Sequence, residues 1–157
     1  MFSMHSHSSG SFHNGQHAIT CRVYYEDTDS GGVVYYANYL RFAERARTEA
    51  LRLCGLSQSL MAHEGLLFVV RRCEIDYLAP AKLDDVLLIE TSLQRTTKVR
   101  MSMTQRLSRA EHDIARLTVD IVSVNAALRP SPLPDAMQQM IFKHFTPQSK
   151  GDTSHDG

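Results

Sequence analysis

Between residues 17 and 145 the apolar positions change period twice, and each change marks an element. Ile19, Cys21, Val23 and Tyr25 alternate with Thr20, Arg22 and Tyr24, the period-two pattern of a half-buried strand. From Tyr39 the spacing becomes helical. Tyr39, Phe42, Ala43, Ala46, Ala50, Leu53 and Cys54 share one face, while Arg41, Glu44, Arg45, Arg47, Glu49 and Arg52 take the rest. Gly55 is a natural stop. Alanines at the centre of the contact face predict close approach to a curved partner.

Four further strands are predicted over 66–78, 86–93, 98–107 and 113–128, with turns at Pro80, Asp84-Asp85, Arg95-Thr96-Thr97 and 110–113. In the third, Val99, Met101, Met103 and Leu107 alternate with Lys98, Arg100, Ser102, Thr104 and Arg106. Pro130, Pro132 and Pro134 end the last strand, and a short amphipathic helix is expected around Met137 to Phe142. One strand, one long helix and four strands in a row predict an α+β fold: an antiparallel sheet of about five strands wrapped around a single helix. Ile121, Val122 and Val124 put apolar residues on both faces of the last strand, and homo-oligomerisation is the simplest cover.

At 157 residues the chain suits one domain, expected over 17–145. Residues 1–16 are rich in Ser, Gly and His (His5, His7, His13), and 146–157 are polar; both read as disordered tails. The start has neither a basic segment nor an apolar core, so it does not read as a signal peptide, and no apolar run is long enough to span a bilayer. Lys plus Arg balance Asp plus Glu at 17 each, which removes any global pull toward nucleic acid. Cys21, Cys54 and Cys73 are odd in number and widely spaced, as structural thiols of a reducing cytoplasm are. No metal site and no cofactor is expected.

The chemistry concentrates in EDTDSGGVVYYAN, residues 26–38. A carboxylate stands beside Gly31-Gly32, where absent side chains let a ligand reach the backbone, just before a helix start with unpaired N–H groups. These are the parts of an oxyanion site with a nucleophile or base next to it. With no histidine in the loop to protonate an amine, a thioester suits the loop better than an amide, because its thiol leaves with a pKa of about 8.5.

The stretch VYYEDTDSGGVVYYANYLRFAERARTEALR, continued by EIDYLAPAKLDD, resembles the 4-hydroxybenzoyl-CoA thioesterase family of hotdog-fold enzymes, in particular the YbgC-type acyl-CoA thioesterases associated with the Tol-Pal system. The resemblance implies dimers whose sheets join edge to edge, with active sites at that interface, and tetramers of such dimers, which are common in the family. It implies an acyl-CoA substrate, with carrier-protein thioesters as an alternative. It places the family's catalytic carboxylate, a nucleophile or general base, on Asp29 and its backbone oxyanion donor on Tyr36, where some members have histidine. Asp27, Gly31, Gly32 and Asn38 then support the loop. Arg95, Thr97 and Lys98, in the turn QRTTK, would take the nucleotide portion of CoA. Phe42, Phe68, Leu66 and Met61 are the residues considered to close the acyl pocket. Two rivals remain: a D-x-D divalent-cation site for sugar-nucleotide transfer, and a binding module at the Tol-Pal system that turns nothing over.

Overall fold

The computed structural model describes residues 8–148; His5, His7 and the stretch 149–157 lie outside them. The elements in order are β1 (Ser11–His13), β2 (Gln16–Arg22), α1 (Asn38–Leu53), α2 (Gln58–His63), β3 (Leu67–Tyr77), β4 (Val86–Thr96), β5 (Arg100–Arg109), β6 (His112–Val124) and α3 (Asp135–Phe142). The strands form one antiparallel sheet in the order β1-β2-β4-β5-β6-β3. The class is the expected α+β; the sheet has six strands rather than about five.

The sixth strand lies inside the segment that composition assigns to a disordered tail. Two local signals outweigh composition there. Asn14 and Gly15 take positive φ (54° and 77°), the conformation of a two-residue type I′ hairpin turn. Phe12 then packs edge-on against Phe145, with ring centres 4.9 Å apart, and against His17 at 5.2 Å. A side chain on Gly15 would meet Thr146 Oγ1 at 2.3 Å, so the hairpin tip also sits tightly on the residues following α3.

Helix α1 buries Tyr39, Phe42, Ala43, Ala46, Ala50 and Leu51 against the sheet. The alanines allow the expected close approach: the Ala43 carbonyl accepts a hydrogen bond from Gln105 Nε2 on β5, at 2.9 Å. Leu53, expected on this face, is exposed, and Leu51 is buried in its place. The six-residue α2, which no periodicity announces, is capped by the Ser57 hydroxyl accepting from Leu60 N–H.

The core divides along α1 into two clusters. One, around the first half of the helix, contains Val23, Val34, Tyr39, Phe42, Leu87, Ile89, Leu107 and Ile114. The other, around its second half, is richer in methionine and contains Leu51, Met61, Leu66, Met101, Met103, Met137 and Phe145. Strand β3 closes one edge of the sheet. Leu67, Val70, Cys73 and Tyr77 along it are exposed.

Candidate active site

After β2 the chain makes a single 3-10 turn, Tyr25–Asp27, and then the acidic loop. Asp27 is the clamp of that loop. Its Oδ2 accepts from Tyr24 N–H at 2.8 Å, its Oδ1 accepts from Asn38 Nδ2 at 2.7 Å, and its carbonyl accepts from Tyr35 N–H at 3.1 Å. Asn38, the first residue of α1, is buried, so Asp27 and Asn38 together fix the loop to the helix. Both carboxylate oxygens of Asp27 are engaged.

Asp29 is held differently. Its N–H and carbonyl are bonded within the loop, to Val33 carbonyl and Gly32 N–H, at 2.9 and 3.1 Å. Among the described residues only one carboxylate oxygen, Oδ1, has a partner: it accepts from Gly31 N–H at 2.8 Å. The side chain is exposed, with Oδ2 open to solvent. The glycines serve separately: Gly32 has φ +83°, which favours glycine whatever the space, whereas a Cβ on Gly31 would stand 3.3 Å from Asp29 Oδ1 and crowd the carboxylate.

Downstream, the N–H groups of Asn38, Tyr39 and Leu40 are taken by the carbonyls of Tyr35, Tyr36 and Ala37. The backbone N–H groups of Tyr36 and Ala37 have no acceptor among the described residues. Unpaired donors therefore stand at the helix entrance, on the positive end of its dipole. Val34 N–H donates to Ala81 carbonyl at 2.9 Å, and Ala81 N–H donates to the Tyr39 hydroxyl at 3.0 Å, which ties the loop to the segment before β4. Burial pushes the Tyr39 phenol above its ordinary pKa, so it stays neutral as a structural acceptor. Tyr36 and Tyr77 stack edge to face with centres 6.1 Å apart, and the Tyr77 hydroxyl donates to the Tyr36 carbonyl at 3.4 Å. The loop thus meets the end of β3.

Arg95, Thr97 and Lys98 are not brought to this loop within one chain. They lie at the opposite end of β4, which at 3.3 Å per residue is about 30 Å away. The Thr97 hydroxyl caps the β4–β5 turn, accepting from Val99 and Arg100 N–H. Arg95 and Thr97 border a shallow cleft with Arg100, Ser102 and Asp120.

At that same end, α1, α2 and β3 enclose a cavity of about 550 Å³. Leu51, Leu56, Met61, Leu66, Phe68 and Ile121 make its wall apolar. Three of the four residues considered for the acyl pocket, Phe68, Leu66 and Met61, therefore line one space, while Phe42 is sealed in the other half of the core. Arg47 also lines the cavity, though its place in the helical pattern marks it only as one of several polar-face residues. Its Nη1 donates to Gln105 Oε1 at 3.0 Å. No sequence signal pairs those two positions, which are 58 residues apart.

No helix among the described residues is long and apolar enough to cross a membrane. The family description "Thioesterase-like superfamily" matches residues 23–141. The chain is 44% identical over 118 residues to an acyl-CoA thioester hydrolase, YbgC, of Escherichia coli O6:H1, covering 74% of this chain and 88% of that one. It is also 44% identical over 126 residues to the acyl-CoA thioesterase YbgC of Haemophilus influenzae, covering 79% and 92%. Among solved structures, a probable thioesterase from Bartonella henselae superposes with a TM-score of 0.73 at 40% identity, covering 76% of this chain and 99% of that one. A 1,4-dihydroxy-2-naphthoyl-CoA thioesterase from Synechocystis superposes with a TM-score of 0.75 at 26% identity, covering 90% and 100%.

Proposed function

The chain belongs to the thioesterase-like superfamily, and from that footing we propose that it hydrolyses acyl-CoA thioesters to a carboxylic acid and free CoA, with Asp29 as the reacting carboxylate. The observation that carries this reading is the contrast between two aspartates two residues apart: Asp27 spends both carboxylate oxygens on the loop, and Asp29 keeps Oδ2 open. That oxygen attacks the thioester carbon, or removes a proton from the water that does. The carbonyl oxygen, charged in the tetrahedral intermediate, accepts from Tyr36 N–H, whose direction the helix entrance fixes in advance. Collapse of the intermediate expels the CoA thiolate, which takes up a proton; on the general-base route this releases the acid directly, and on the nucleophilic route a water then cleaves the acyl–Asp29 anhydride to the acid and the free carboxylate.

The site needs a second copy of the chain. The loop lies at the Tyr77 end of β3, the cavity at the Leu67 end, and the edge between them is open and partly apolar. If two copies pair β3 against β3 antiparallel, the Tyr77 end of one meets the Leu67 end of the other. One copy then supplies Asp29 and Tyr36, and the other supplies the acyl cavity and, at the same end, the basic turn Arg95–Lys98 for the phosphates of CoA.

The test is release of free thiol from a panel of aliphatic and aromatic acyl-CoAs, with EDTA present, for the wild type and for Asp29→Asn. Turnover by the wild type and a loss of about 10³-fold or more in the variant, with an unchanged far-UV spectrum, is the expected result. Near-normal turnover by Asp29→Asn would remove Asp29 from the mechanism. Failure of the wild type on every CoA ester would leave the non-catalytic binding module as the better reading.

A further inference from the structure

Arg47 is a partly buried cation with no carboxylate within 4.0 Å among the described residues. The other described arginines that approach a carboxylate within 4.0 Å are 52, 71, 72, 106, 109 and 116; Arg47 is not among them. Arg52, also on the cavity wall, pairs with Glu49 at 3.2 Å. Glu44, one turn before Arg47, is exposed and lines the same cavity, but it lies beyond 4.0 Å from the guanidinium. What Arg47 has instead is an oriented dipole. Gln105 is 2% exposed, and its Nε2 donates to the Ala43 carbonyl and to Thr91 Oγ1 at 2.9 and 3.0 Å. Those two acceptors fix the amide so that Oε1 faces the guanidinium.

Among the described residues one of the five N–H donors of Arg47 is thereby engaged, and the group borders a cavity that is apolar over Leu51, Leu56, Met61, Leu66 and Phe68, with Glu44 and the already paired Arg52 the other charged groups on its wall. Burial lowers the guanidinium pKa, opposed by the more distant charge of Glu44. An amide dipole orients such a cation but does not neutralise it. A hydrocarbon chain filling the cavity would strip water from the guanidinium and leave it unpaired. An occupant carrying its own anionic oxygen would fill the apolar wall and complete the pair.

We propose that Arg47 is a specificity residue that receives a carboxylate carried by the acyl group at the end remote from the thioester, so that the preferred substrates are CoA thioesters of dicarboxylic acids. This rests on the thioesterase reading and on the cavity as the acyl site. Gln105 is the positioning residue that presents Arg47 to the chain. The reaction is otherwise that of any acyl-CoA: one thioester bond is cleaved by one water, and the remote carboxylate leaves unchanged in the diacid.

The test uses pairs of equal length, hexanoyl- with adipoyl-CoA and octanoyl- with suberoyl-CoA. The ratio of kcat/KM within each pair is measured for the wild type, Arg47→Met and Arg47→Lys. Binding of the same ligands, and of CoA alone, is measured by calorimetry on Asp29→Asn with and without Arg47→Met. The expected result is a preference for the carboxylated member of at least one pair by about tenfold or more. Arg47→Met brings the ratio close to one, and Arg47→Lys, which keeps the charge and controls for folding, retains part of it. A wild-type ratio near one in both pairs overturns the proposal. So does an Arg47→Met variant that weakens both members, and CoA alone, by one common factor; the counter-ion would then be a phosphate of CoA or a carboxylate of a second copy. If no thioester is turned over, the hydrolase reading falls, and the binding ratios alone decide the role of Arg47.

Discussion

The two halves of the core along α1 differ in build, and the proposed reaction would ask different things of them. Around the first half, Val23, Val34, Phe42, Ile89 and Ile114 are branched or aromatic and almost wholly enclosed, and the acidic loop stands on them. Around the second half, Met61, Met101, Met103 and Met137 carry the packing, beside a cavity of about 550 Å³. Stiff side chains suit a carboxylate and a backbone donor that must keep one geometry. Methionine, unbranched and with three rotatable bonds, suits a wall that meets chains of differing shape. In the proposed mechanism the same helix would separate a place where position matters from one where accommodation does.

Substitutions on each side should break this comparison or sharpen it. The largest effect is expected from Phe42→Ala, which opens a void beneath the loop: a loss of about 3–5 kcal/mol in denaturant unfolding, with turnover falling by a similar factor for every acyl length. If Phe42→Ala altered chain preference while keeping its stability, the rigid half would have to be redrawn as part of the pocket. A smaller and opposite signature is expected from Ala62→Phe, an exposed position on the cavity rim. Stability should change by less than about 0.5 kcal/mol. Activity on long acyl chains should fall about tenfold relative to short ones, as kcat/KM across an aliphatic series would record.

The smallest effect concerns His17, whose ring lies buried against Phe12 in the methionine-rich half. One ring nitrogen, Nε2, meets the Ser9 carbonyl at 2.7 Å, and Nδ1 has no partner among the described residues. Burial lowers the pKa of His17 below 6.5, against the opposing pull of the Ser9 carbonyl and of Glu49. A folded-state pKa below the unfolded one means that the unfolded chain takes up the proton first. The stabilisation from the neutral ring is therefore complete above about pH 6.5 and is lost as the pH falls below it. Protection factors at Phe12 and His13, corrected for the pH dependence of intrinsic exchange and compared with those of β5 amides, should fall selectively as the pH drops below 6.5, and His17→Phe should remove that selectivity. An equal fall in both sets would tie the loss to global unfolding instead.

Most of the fold was legible because strand and helix periods are local properties. β5 alternates almost without exception, and the start of α1 follows from the shift at Tyr39. Leu51 is buried where Leu53 was expected because it faces the cavity that α2 and β3 close, and the six-residue α2 is too short for any period to register. The N-terminal hairpin escaped because Ser, Gly and His outweighed Phe12 and the Asn14-Gly15 pair, whose turn preference was in plain view. In the site, the loop could be read because its chemistry is contiguous from Glu26 to Asn38. The cavity, and the bond from Arg47 to Gln105, join segments far apart in sequence, and no single segment carries their signal.

The order of the sheet also bears on how the chain is made. β3 leaves the ribosome early, yet the strand beside it is β6, and about 35 residues separate Tyr77 from His112. At translation rates of about 5–20 residues per second, β3 waits roughly two to seven seconds before its neighbour is available. Throughout that interval Leu67, Val70 and Tyr77 are unclaimed on both sides. Newly made copies on one messenger are then each other's nearest source of a matching edge. Crowded polysomes would favour that encounter, and slow codons between β3 and β6 would prolong it.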